Sequence, residues 1–361
     1  MKKGFLFVLM LVMVPMLLVA CSSQEEEAST PEEVFESPSP SPSPSPSPSP
    51  SEEEKYDGPV NPLTGEPVDE DISSKRPYAF MFNNTEVALP QHGISQVDIF
   101  YEMLAEGGVT RILGVMQDIS DVGQIGTIRS VRPYFIDCVQ GLDGILIHAG
   151  GSEIAYQELK SRDVARIDGV NGTGDIFFRD QERIKTMGKE HSMFTSSELI
   201  AEKLPNYNFR TEHEEGYAYN MQFSDDAAPE GGSKAEKIKV IFSKYKTGLF
   251  EYNEDDKAYH VSEYGKSYVD GENEEQVKIS NVLVLYSNFW NVNGTLILQT
   301  DLVGTGSGYF ACGGKYVPIT WSKEGYESPF VYTLEDGSEI VFGVGSTYVN
   351  IVPTDTEVNF E

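Results

Sequence analysis

Two arginines, Arg129 and Arg132, stand three apart in "GTIRSVRPYF" (126–135), beside a serine and a proline that suggest a helix start. The chain around them is acidic: 27 lysines and arginines stand against 57 aspartates and glutamates, for a formal charge of −30. A helix N-terminus presents unpaired N–H groups and partial positive charge. Guanidinium groups there have the wrong sign, by about 0.3–1 kcal/mol each. Something negative must offset them, either an internal carboxylate or a bound anion. Arginine suits planar, bidentate recognition of carboxylate or phosphate better than lysine does. Arg111, in the run "VTRILGVMQD" (109–118), is a third guanidinium for such a site.

A second stretch, "GILIHAGGSE" (144–153), reads as a strand, a glycine turn and a helix capped by Ser152. Gly150 and Gly151 let backbone approach a ligand, and His148 stands at the carboxyl end of the strand, where open α/β sheets place ligands. The alternative is a tight turn closed by a hydrogen-bonded histidine. His191 precedes another capped helix. With Glu102 or Glu106, the pair His148 and His191 has the residue types for acid–base chemistry. No HxH, HExxH, GxSxG, GxGxxG or CxxC spacing supports a metal site, a hydrolase elbow or a nucleotide loop. No metal and no cofactor is expected.

These residues need elements to hold them. "YAFMFN" (78–83) and 109–118 read as strands, and "DIFYEMLA" (98–105) joins the latter in a hairpin through Glu106-Gly107-Gly108. The spacing predicts a helix from Ser130 as N-cap, with Pro133 in the first turn and Val131, Phe135, Cys138 and Leu142 on one apolar face. That stripe makes Cys138 a core residue. Thr195 and Glu198 read as a capping box for a helix over 196–204. Beyond 235, short strands such as "KIKVIFS", "NVLVLYS", "KYVPITWS" and "STYVNIVP" alternate with Asn-Gly, Gly-Gly and Asp-Gly turns. "GTGSG" (304–308) reads as a β-turn or bulge, because no helix follows it. The tyrosines there, with Trp290 and Trp321, fill a β core or stack on sugar rings. All nine arginines fall between Arg76 and Arg210. The fold class is therefore α+β: a mixed α/β domain over 57–225, then a β-rich domain of sandwich or barrel type over 235–361.

The N-terminus supplies an address. Lys2 and Lys3 precede an apolar run from Phe5 to Ala20, which ends in Leu18-Val19-Ala20-Cys21. Residues 1–20 read as a lipoprotein signal peptide, with a lipid attached to the Cys21 thiol after export. Residues 21–56 read as a Glu-rich and Ser-Pro stalk. Its seven Ser-Pro repeats (37–50) give roughly 40 Å of extended spacer. An acidic exported chain is unsuited to nucleic acid, and a lipid must hold it at an anionic bilayer. The expected place is the outer face of the cytoplasmic membrane of a Gram-positive-type bacterium.

"NPLTGEPV" (61–68), "RPYAFMFNN" (76–84), "PQHGISQVDIFYEMLAEGGVTR" (90–111), "GTIRSVRPYF" (126–135), "HAGGS" (148–152) and "TWSKEGYESPF…DGSEIVFGVGSTYVNIVP" (320–353) resemble the YerB-like lipoprotein family. The resemblance covers nearly all of the chain beyond the stalk. It implies an exported lipoprotein with an N-terminal and a C-terminal family domain, and it supplies no reaction. The family pattern Ala-Pro-His-Asn is replaced here by Gly188-Lys189-Glu190-His191-Ser192, which keeps only the histidine. The leading expectation is a surface lipoprotein that binds an anionic wall glycan or phosphate polymer through Arg111, Arg129, Arg132, His148, Gly150, Gly151 and Ser152. The alternatives are an envelope hydrolase using His148, His191 and Glu102 or Glu106, and a scaffold for other envelope proteins.

Overall fold

The computed structural model describes residues 56–172 and 175–361. The expected signal peptide, Cys21 and the Ser-Pro repeats lie outside the described residues. The main strands, in chain order, are β1 (Tyr78–Asn84), β2 (Ile99–Leu104), β3 (Thr110–Met116), β4 (Ile145–His148), β5 (Arg166–Asp168), β6 (Lys237–Ile241), β7 (Thr247–Asn253), β8 (Ala258–Glu263), β9 (Asn281–Ser287), β10 (Gly304–Cys312), β11 (Lys315–Lys323) and β12 (Thr347–Pro353). The α-helices among the described residues are α1 (Pro133–Gly141), α2 (Glu153–Ser161), α3 (Gln181–Thr186) and α4 (Ser197–Lys203).

One long sheet runs β11-β10-β9-β12-β2-β3-β1-β4-β5, with short strands added beside β11. The sheet takes strands from both sides of the 225–235 segment. Its seam is parallel: β12 lies between β9 and β2 and pairs with each in the same direction. The expected hairpin joins β2 to β3 antiparallel, and Gly107 and Gly108 turn it with φ of 78° and 79°. Positive φ at two successive residues is why glycine stands at both.

Alternate side chains of this sheet feed two cores, as the period-two geometry of a strand requires. Met81, Leu113, Leu146, Leu283 and Val349 face α1 and α2, where Tyr134, Phe135, Cys138, Leu142, Ala155 and Leu159 are buried. The whole expected stripe of α1 is thus in the core. Phe82, Phe100, Ile112, Val284 and Tyr348 face the other way. There a second sheet, β8-β7-β6 with short flanking strands, packs over them. Phe250 of β7 meets Tyr348 edge-on with ring centroids 5.0 Å apart, and Tyr348 stacks on Phe100 at 4.8 Å. β6 shows the alternation of a one-sided sheet, with Ile238 and Val240 buried and Lys239 exposed. The fold is α+β, with the helices in the N-terminal part, a strand-rich C-terminal part, and a second sheet packed face to face on the long sheet to which both parts contribute.

Two helix starts differ from the sequence reading. The N-cap of α1 is Arg132, not Ser130, and Pro133 is its first residue. A residue before proline is pushed out of the helical region, and Arg132 is extended at φ −117°, ψ 155°. Ser130 instead donates its hydroxyl to the Ala149 carbonyl. The cap of α4 is Ser196, whose Oγ accepts from Leu199 N–H, while Thr195 stays in a strand and donates to the Ile176 carbonyl. "GTGSG" lies within β10. Cys138 and Cys312 are free, buried thiols. Burial raises both, Cys312 to about 11, so neither is poised as a nucleophile.

Candidate functional site

The β4–α2 connection is built as the sequence suggests. Gly150 turns at φ 80°, and Ser152 caps α2 by accepting from Ala155 N–H at 3.2 Å. Its donors, however, are turned inward. Asp168, at the end of β5, accepts the Gly150 and Val170 N–H groups at 2.9 Å each and the Tyr156 hydroxyl at 2.7 Å. Burial alone would raise the Asp168 carboxyl, but these hydrogen bonds outweigh it and hold it below the ordinary range. His148 is fully buried, and its Nδ1 donates to the Gly150 carbonyl at 2.8 Å. Burial lowers its pKa, so it is a neutral imidazole that stiffens the turn. Its Nε2 has no hydrogen-bond partner among the described residues.

The wrong-signed arginine at the start of α1 is neutralised from within. Glu106, in the β2–β3 turn, takes Arg132 in a bidentate pair, at 2.5 Å to Nε and 2.7 Å to Nη2. Arg111 approaches the same carboxylate at 3.8 Å. Burial, and then the nearby Arg132 charge, push the Arg111 guanidinium down to about 10. Its Nη1 is buried with no hydrogen-bond partner among the described residues. Glu106 would be raised by burial, but Arg132 brings it below the ordinary carboxylate value.

Arg129 belongs to a different place. It lines a cleft of about 430 Å³ with Ser130, Ala149, Val170, Arg179, Gly188, Lys189 and Glu190. Among these lining residues are three cations, Arg129, Arg179 and Lys189, and one carboxylate, Glu190. Arg129 reaches Glu190 only at 3.9 Å, and the Glu190 side chain is 64% exposed. Arg179 is held by the Lys189 carbonyl at 2.6 Å and by Ser192 Oγ at 3.2 Å. No ion pair of Arg179 or Lys189 occurs among the described residues. Sequence reading missed both. The only signal was their position on either side of α3, next to His191.

The acid–base candidates do not converge. His191 accepts from Asn83 Nδ2 at Nδ1, 2.8 Å away, and its Nε2 lies 3.4 Å from Glu190. Burial lowers its pKa too. No hydrogen bond or ion pair joins it to His148 among the described residues. Glu102 is in the core between the two sheets. Its oxygens accept from Asn84 at 2.8 Å and from the Tyr348 hydroxyl at 2.7 Å, and Lys246 stands 3.0 Å away. Lys246 also pairs with Glu263, the inward residue of β8. Burial, against the pull of Lys246, lifts Glu263 to about 8. This buried Glu–Lys–Glu group leaves no local trace in the sequence, because its three members come from distant segments. Among the described residues no group of three or more His, Cys, Asp or Glu side chains is placed to hold a metal ion.

Comparison with known proteins sets this architecture in a family. "Putative lipoprotein YerB" of Bacillus subtilis is 28% identical over 296 residues, covering 81% of this chain and 86% of that protein. The crystal structure of the YerB protein from Bacillus subtilis superposes with a TM-score of 0.73 at 24% identity, over 83% of this chain and 99% of that one. Residues 63–210 match the "Protein of unknown function (DUF3048) N-terminal domain", and residues 238–349 match the corresponding C-terminal domain. With both of these domains in order, and with the YerB fold, the chain belongs to the YerB-like DUF3048 family.

Proposed function

We propose that the protein is a lipid-anchored receptor of the cell surface, which holds an anionic envelope polymer in the cleft of Arg129, Arg179 and Lys189. The address rests on the Leu18-Val19-Ala20-Cys21 motif after an apolar leader, and on likeness to a protein named as a lipoprotein. The ligand class rests on one observation: three cations line one cleft with a single exposed carboxylate, in a chain with a formal charge of −30. In so acidic a chain, elsewhere exemplified by the Arg132–Glu106 and Arg162–Asp137 pairs, carboxylates are at hand to cancel arginines. An unsatisfied cluster is therefore the feature to explain. Arg129 and Arg179 are both held in place by backbone carbonyls, so their forks are oriented before a ligand arrives. Phosphodiester or carboxylate groups repeated along a wall polymer match that chemistry.

The hydrolase alternative has no observation in its favour, since its two imidazoles and its carboxylates occupy separate surroundings. The receptor reading is tested by calorimetry with a glycerol phosphate oligomer and with polygalacturonate at low salt. Binding by at least one of them is expected, weakened at least tenfold (about 1.4 kcal/mol) in the Arg129→Ala, Arg179→Ala double variant. Rising salt should weaken it further. Failure of both polymers to bind overturns the reading.

A further inference from the structure

On the other side of the same Asp168–Gly172 turn lies a larger cleft, of about 950 Å³. Val170 lines the cation cleft, whereas Asp168, Asn171 and Gly172 line this one. Its chemistry differs. Four arginines and five carboxylates face it, so its charges nearly cancel. The cancellation is direct. Arg210 holds the lining carboxylate Asp143 at 2.5 and 2.7 Å, and Arg162 is bonded to Asp137 at 2.5 Å and Glu158 at 2.8 Å, carboxylates outside the lining. Arg166 is fixed by the carbonyls of Leu159 and Val164 at 3.2 and 3.1 Å. A simple anion would gain little here, and an apolar guest would strand these groups without water.

Between the polar groups stand aromatic rings: Tyr156, Tyr207, Phe209 and Tyr217. Tyr217 has one face covered by His213, with centroids 3.8 Å apart. A guest that suits both kinds of wall must have hydroxyl edges for planar, pre-oriented forks and C–H faces for aromatic rings. That is the surface of a sugar ring. The volume falls within the range of cavities that enclose ligands of several rings. From this geometry we infer that the larger cleft is a saccharide-binding site for an uncharged glycan segment. It is independent of the cation cleft. If both hold, one polymer with sugar rings and anionic groups spans the turn between them.

The test uses the full-length chain, with saturation-transfer NMR against two neutral probes, the trimer of N-acetylglucosamine and maltotriose. At least one is expected to bind at millimolar concentration. Tyr207→Ala should weaken it at least tenfold, and Asn208→Ala, at an exposed lining position, severalfold. The Arg129→Ala, Arg179→Ala double variant should bind the saccharide as the parent does. Tyr207 packs against the core, so a thermal melt accompanies that variant, and Asn208→Ala decides the matter if Tyr207→Ala is poorly folded. Absence of binding by both trimers, or binding that survives both aromatic and lip substitutions, overturns the inference. A glycerol phosphate oligomer that binds while neither trimer does would leave the receptor proposal standing and remove this one.

Discussion

Glu106 shows how one side chain decides what its neighbours can do. It holds Arg132 by both oxygens and sits 3.8 Å from Arg111, so removing it leaves two partly buried guanidiniums facing each other. Exposed pairs contribute up to about 1 kcal/mol, and breaking a fully buried pair costs about 3–5. Glu106 is a quarter exposed, so Glu106→Gln should cost about 2 kcal/mol by urea unfolding at pH 7. The loss should fade as pH falls. The Glu106 carboxyl is lowered in the fold, so its stabilising effect is present above the unfolded value of 4.5 and vanishes as acid protonates it in the folded chain. An unchanged midpoint would mean that the pair is ornamental. The sequence pointed to these arginines because their sign was wrong for a helix start. It left the partner open, since a carboxylate 26 residues away in another turn leaves no local trace. Arg129 looked the same in sequence as Arg132, and only the fold sends them to opposite fates.

At the scale of elements, legibility followed local chemistry. The β2–β3 hairpin was readable from two glycines, and α2 from Ser152, because turns and caps are decided within a few residues. The start of α1 falls two residues beyond Ser130 because the restriction that Pro133 puts on Arg132 outweighs the pull of a serine cap. The β4–α2 turn gives a sharp test. Gly150 is left-handed at φ 80°, and a Cβ there would lie 3.3 Å from Ser130 Oγ. A left-handed alanine costs about 1–2 kcal/mol before any contact is counted. Gly150→Ala should therefore lose at least that much by chemical unfolding. Ser152→Ala, which removes only the cap, should lose about 1 kcal/mol. Equal losses for the two would show that the turn's backbone is not the constraint. Since the turn carries Ala149 into the cation cleft, Gly150→Ala should also weaken polymer binding, and Ser152→Ala should not.

At the scale of the whole molecule, what the sequence could not show is the pairing of distant segments. β12 runs parallel between β9 and β2, joining residues 347–351 to residues 99–103, and no local pattern encodes such a partner. The same closure brings Glu102 of β2 against Lys246, in the β6–β7 turn, and Glu263 of β8, while the hydroxyl of Tyr348 of β12 donates to Glu102. Tyr264 and Tyr268 complete the surroundings as neutral phenols, raised by burial first. Two carboxylates and one ammonium buried together cannot all be charged without leaving a net charge, so the two carboxyls share one proton. Burial raises the Glu263 carboxyl to about 8, against 4.5 when unfolded, while Lys246 pulls the other way. The folded chain then keeps a proton that the unfolded chain gives up above pH 4.5. Unfolding must become easier as pH rises from 4.5 to about 8, by up to about 1.4 kcal/mol per unit, and level off beyond. Lys246 is raised, so its contribution is lost only above its ordinary 10.5 and does not enter this window. Asp98 and Asp137, raised by burial to about 7 and 6, add slopes of the same sign, so the comparison must be between variant and parent. Glu263→Gln keeps the shape and discards the proton, and its unfolding free energy should lose most of this part of the slope. Glu102→Gln removes the competing carboxylate instead, leaving Glu263 and Lys246 as a simple ion pair, and should flatten the slope by a different route. Denaturant unfolding at pH 5, 6.5 and 8 measures both slopes against the parent. A parent and a Glu263→Gln curve of identical slope would show that the inter-sheet group holds no extra proton, and that the two sheets close over a fully ionised triad.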